Sequence, residues 1–147
     1  MKPLFILMLT VSSFFSTAGN AADIVSPKAL KSFEKTFTNA TEVAWTITEN
    51  YYKVEFLLSG QTINAFYNEE GKLIGVSRNI SSLQLPIILQ AEIKKEYSNY
   101  WITDLFEMSN DDGAEYYLTI EDADNKTILK SSVGFNYWMV YQKLRKS

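Results

Sequence analysis

Apolar and polar positions follow two rhythms along this chain, and the rhythms come in the same order twice. Across residues 26–37, Leu30, Phe33 and Phe37 recur at helical spacing. Ser26 suits a helix cap, and Pro27 suits the first helical position, where its missing N–H costs nothing. Asn39-Ala40-Thr41 ends this segment, and the period then drops to two. Val43, Trp45 and Ile47 alternate with Ala44, Thr46 and Thr48, which predicts a strand. Tyr52, Val54, Phe56 and Leu58 alternate again, as do Ile63, Ala65 and Tyr67 in a strand predicted over 61–67. Glu49-Asn50 reads as a turn, Ser59-Gly60 as a tight hairpin, and Asn68-Glu69-Glu70-Gly71 as a turn before a fourth strand over 72–78.

The second half repeats the order. Leu85-Pro86 opens a helix predicted to run to about residue 97, with Leu89, Ile93 and Tyr97 sixty residues after Ala29, Phe33 and Phe37. A strand is predicted over 101–108, then a turn at Asn110-Asp111-Asp112-Gly113. Tyr116, Leu118 and Ile120 stand sixty-four residues after Tyr52, Val54 and Phe56, and that turn can absorb the four extra residues. After a turn at residues 122–125, the last two strands are predicted over 127–133 and 135–141, and the basic tail from Lys143 reads as frayed. The pattern predicts an internal duplication of about sixty residues, with repeats at 22–82 and 83–147. Strands in runs after each helix predict an α+β fold. Two tandem αββββ repeats would form one antiparallel sheet of about eight strands, with both helices on one face. The other face would stay uncovered, which antiparallel sheets tolerate.

Residues 1–21 stand apart from this pattern. Met1-Lys2, the apolar stretch from Leu4 to Phe15, and the small residues Ser16 to Ala22 have the build of a secretory signal. Cleavage after Ala18 or Ala21 satisfies the small-residue rule. The expected mature chain is periplasmic or secreted, about 125 residues long and without a stable membrane anchor.

Composition narrows the chemistry. The chain has no His and no Cys. That excludes a Ser-His-Asp triad, a Cys nucleophile, a disulfide and a Cys/His zinc site. The net charge of −3 gives no reason to seek nucleic acid. Residues 121–125 are rich in acids but lack the Gly and closing Glu of a calcium loop. No pair of the remaining reactive residue types stands at a spacing that catalysis demands. The expectation is a monomeric, non-enzymatic protein with no cofactor and no metal.

Several short segments, in this order, resemble a known family. They are Phe33-x-x-x-Phe37, Val43-x-Trp45, Tyr51-Tyr52-Lys53-Val54-Glu55-Phe56, Ala65-Phe66-Tyr67-Asn68-Glu69-Glu70-Gly71-Lys72-Leu73 and Leu85-Pro86. Together they resemble the PepSY-like, or β-lactamase-inhibitor-like, periplasmic proteins of Gram-negative bacteria. The second half departs from the pattern, lacking a Trp that matches Trp45. The resemblance implies tandem helix-on-sheet repeats and inhibitor-like binding through the sheet, without implying that β-lactamase is the target.

Parity supplies candidate residues for that binding. Tyr51, Phe66 and Tyr117 fall opposite the core positions, among Lys53, Glu55, Thr119 and Lys130. Rigid amphipathic rings on an open sheet suit a protein interface. The expected partner is another exported protein. The alternative is carriage of a lipid or peptide, which would require a cavity.

Overall fold

A computed structural model of the chain describes residues 25–132 and 134–147; the predicted signal segment at 1–21 lies outside them. The first half contains α1 (Pro27–Thr36), β1 (Thr41–Ile47), β2 (Tyr52–Leu58), β3 (Gln61–Tyr67) and β4 (Leu73–Asn79). After a 3-10 turn at Ser82–Gln84 come α2 (Ile87–Glu96), β5 (Trp101–Asn110), β6 (Gly113–Glu121), β7 (Asn125–Ser131) and β8 (Met139–Arg145). The eight strands form one antiparallel sheet in sequence order, β1 to β8. The α+β architecture is the one the periodicities predict.

Local chemistry accounts for the joints. Ser26 caps α1 by accepting a hydrogen bond from the Ala29 N–H at 3.2 Å. Ser59 and Gly60 both have positive φ, 53° and 80°, which matches the two-residue hairpin turn whose twist suits the flanking strands. Asn68 Oδ1 accepts from the N–H groups of Glu70 and Lys72, closing the β3–β4 turn.

Two small cores lie beneath the helices. Ala29 and Phe33 of α1 pack with Val54, Phe56, Ile63, Ala65 and Tyr67. Phe33 meets Phe56 at 5.0 Å and Trp45 at 5.5 Å, both edge to face. Leu89 and Ile93 of α2 pack with Leu105, Leu118, Ile120, Leu129 and Trp138. Strand register shows that the helices share a face. Ile63 pairs with Arg78, Arg78 with Glu107, and Glu107 with Tyr116, so one rung runs from the first core to the edge of the second. Its middle is polar. Arg78 Nε donates to Glu107 Oε1 at 3.1 Å, so an ion pair separates the two cores.

The structure corrects three expectations. The last strand begins at Met139, not 135, and takes in Lys143, Leu144 and Arg145 of the tail predicted to fray. Lys146 explains the order there: its backbone N–H donates to the Asp124 carbonyl and its ammonium to the Asp122 carbonyl, each at 2.8 Å. Before β8, residues 134–137 stay exposed and Trp138 alone turns inward. Trp138 is buried, with its backbone N–H donating to Glu92 Oε2 and its indole N–H to the Leu89 carbonyl. It adds a large ring to a half that has no counterpart of Trp45. Finally, Val43 and Ile47 are exposed although they share the rhythm of Trp45, because β1 is a sheet edge and only Trp45 reaches the core.

Candidate functional site

Residues of opposite parity to the core line the uncovered face of the sheet. On it, Tyr51 and Phe66 meet edge to face at 5.6 Å. Lys53 stands across from Phe66, and Glu55 across from Asn64. Further along, Phe106 stacks on Tyr117 at 4.9 Å with the planes only 9° apart. Tyr141 meets Tyr117 edge-on at 5.7 Å. The Lys130 ammonium sits 5.4 Å from the Tyr117 ring centre and 5.9 Å from that of Tyr141.

The polar groups around this cluster are satisfied internally. Glu115 pairs with Lys130 at 3.0 Å and accepts from the Tyr117 hydroxyl at 3.2 Å and the Ser132 hydroxyl at 3.4 Å. Burial raises the Tyr117 hydroxyl pKa above its ordinary value, opposed by the hydrogen bond to Lys130. Burial works against the charged form of Lys130, but hydrogen bonds to Glu115 and Tyr117 outweigh it and raise its pKa.

Two predicted site residues are therefore placed on the right face but not presented. Tyr117 is 5% exposed, because Phe106, Tyr141 and Lys130 cover it. Thr119 is also 5% exposed, between Asp104 and the buried Ile128 in neighbouring strands. Tyr51, Lys53, Phe66 and Lys130 are half-buried, and Glu55 is exposed.

Between the two ring clusters lies a cleft of about 90 Å³, lined by Tyr51, Phe66, Ile74, Gly75, Met108, Asn110, Glu115 and Tyr117. Three predicted residues thus meet in one place. Gly75 opens the floor of the cleft, since a Cβ there would stand 3.2 Å from the Met108 sulfur. A register shift between Phe66 and Tyr67 makes room for Ile74 beside Gly75. The facing of Phe106, which stacks on Tyr117, and of the lining residue Met108 was legible, because both alternate with the core residue Leu105. Tyr141 was not, because a register shift in the β7–β8 pairing sets its direction.

A second hollow, of about 430 Å³, is broad and open to solvent where β4 and β5 part. Asn79, Ser81, Ser82, Thr103 and Asp104 supply its polar lining, with Ile80, Ile102 and Leu105. Among the described residues, no group of three His, Cys, Asp or Glu is arranged to hold a metal.

An antiparallel sheet with both helices on one side is a fold this chain shares with solved structures of BLIP-like and DUF2874 family proteins. The fold matches a BLIP-like protein from Bacteroides fragilis NCTC 9343 with a TM-score of 0.67 and 18% identity, over 82% of this chain and 85% of that one. It matches a DUF2874 family protein from Bacteroides ovatus ATCC 8483 with a TM-score of 0.70 and 18% identity, over 82% and 87%. A protein from Bacteroides eggerthii DSM 20697, provisionally described as periplasmic, superposes with a TM-score of 0.71 at 10% identity, over 82% and 88%. No family model and no curated protein sequence matches the chain. At such identities the likeness is one of fold.

Proposed function

We propose that this chain is a non-enzymatic periplasmic protein that binds another exported protein through the open face of its sheet, in the manner of an inhibitor. The observation that carries the reading is the contrast between the two faces. The helix-covered side is filled by large side chains, whereas Tyr51, Phe66 and Met108 line an apolar cleft on the side that no described element covers. The BLIP-like and periplasmic fold neighbours support both the location and the class of function.

The test is capture of a partner from periplasmic extract by the wild-type chain and by Tyr51→Ala/Phe66→Ala. Central aromatic anchors cost about 2 kcal/mol or more on truncation. The double variant should lose the partner while its thermal midpoint stays within a few degrees of wild type. Unchanged capture would move the interface elsewhere.

The hollow between β4 and β5 is the observation that favours small-ligand carriage, since its volume falls in the range of ligand sites, about 300–1,000 Å³. It lacks an enclosing wall, so it suits a lipid poorly. A stoichiometric lipid or peptide in native mass spectra of the purified protein would favour carriage.

A further inference from the structure

We infer that the cleft at Gly75 receives one aliphatic side chain of the partner, with a carboxylate beside it. This inference rests on the proposed binding role of the open face and specifies its chemistry.

Size selects the occupant first. The cleft volume is about 90 Å³. It is far below the ~300 Å³ at which small-molecule sites begin. A single side chain fits it; a lipid or a folded element does not. The lining then selects an apolar group, because Tyr51, Phe66, Ile74 and Met108 present carbon and sulfur. Gly75 adds no side chain, and the opening depends on that.

Charge selects the neighbouring group. Glu115 is the acid in the lining, and both its oxygens are occupied by Lys130, Tyr117 and Ser132. A cation from the partner would have to displace those contacts. Asn110 uses its Oδ1 to accept from the Asp112 N–H, which leaves its amide N–H₂ as the donor. Lys53, cross-strand from the lining residue Phe66, makes no ion pair among the described residues. Glu55 lies one step further along β2, away from the cleft and opposite Asn64. The rim therefore offers hydrogen-bond donors and a positive charge, complementary to a carboxylate.

The inference can be tested without knowing the partner. N-acetyl-leucine, N-acetyl-leucinamide and N-acetyl-lysinamide are titrated into the full chain while the Met108 and Ile74 methyl resonances are followed. N-acetyl-leucine should shift both methyls, saturating at a Kd on the order of millimolar. The neutral amide should bind several-fold more weakly, and the lysine derivative should shift neither. Gly75 is not at positive φ, so Gly75→Ala carries no φ penalty; its Cβ would stand 3.2 Å from the Met108 sulfur and from the Ser109 carbonyl oxygen, and, with folding checked by the amide spectrum, it should abolish the shifts by closing the floor. Met108→Ala should enlarge the cleft and turn the preference toward N-acetyl-phenylalanine, read on Ile74. Lys53→Gln should remove the advantage of the acid over the amide. Absence of any shift with N-acetyl-leucine, shifts that survive Gly75→Ala in a folded protein, or equal binding of the lysine derivative would each overturn the inference. If Tyr51→Ala/Phe66→Ala releases a captured partner but Gly75→Ala does not, the inference fails and the binding role of the face stands.

Discussion

Gly60 and Gly71 allow a controlled measurement of how tightly α1 is seated on the sheet. Both have φ of +80°, so both pay the same backbone penalty when given a side chain. That penalty is about 1–2 kcal/mol for an L-residue in the left-handed region. Their surroundings differ. A Cβ at Gly60 meets nothing within 4 Å, whereas one at Gly71 would lie 2.7 Å from the backbone carbon and oxygen of Lys28 in the first turn of α1. A backbone neighbour cannot rotate away, so the turn or the helix must move, at a further cost of about 1–3 kcal/mol, as in an overpacked core. Gly60→Ala should therefore lose about 1–2 kcal/mol in urea denaturation, and Gly71→Ala about 2–5 kcal/mol, with similar m-values. The added loss should appear as weakened amide-exchange protection in α1. Equal losses for the two variants would refute the close approach of helix and turn.

Three further predictions concern burial and charge. Trp138→Ala should cost about 3–5 kcal/mol, the usual loss for a buried large ring, and Trp138→Phe distinctly less, by urea denaturation; losses below ~1 kcal/mol for both would show that Trp138 is not packed under α2. Glu121 is held below the ordinary carboxylate range by its hydrogen bond to Lys146, and Asp122 by the N–H groups of Asp124 and Asn125. Groups with lowered folded-state pKa values stabilise above the ordinary range and lose that effect as pH falls through the folded value, so amide protection at the end of β8 should drop first on acidification, and Lys146→Ala should return Glu121 toward its normal titration by NMR. Burial pushes the Tyr67 hydroxyl from 10.0 to about 12, opposed by the nearby Ser32 and Thr36 hydroxyls. The unfolded chain ionises first, so that stability is present below pH 10 and lost as pH rises from 10 toward 12; Tyr67→Phe should flatten this part of the alkaline denaturation curve, and an unchanged slope would refute the assignment.

Helices, the hairpins within each half and the two faces of the sheet were legible in the sequence because each is local. A period of 3.6 or 2 marks which side of an element is apolar, and a run of short turns leaves consecutive strands little choice but to pair. Hence Val54, Phe56, Leu118 and Ile120 were placed in the core, and Tyr51, Phe66 and Tyr117 on the opposite face, from alternation alone. The register shifts were not legible, because an extra residue in a strand is set by the partner strand, and they aim Ile74 and Tyr141. The course of the chain before β8 was not legible either, because an apolar Trp reads the same in a strand as in a loop that folds onto α2. Exposure on the open face was decided in three dimensions: Tyr117 has the right parity but is covered by Phe106 and Tyr141 from neighbouring strands and by Lys130. Periodicity assigns a side chain to a face; only the packing of several strands determines whether it is available there.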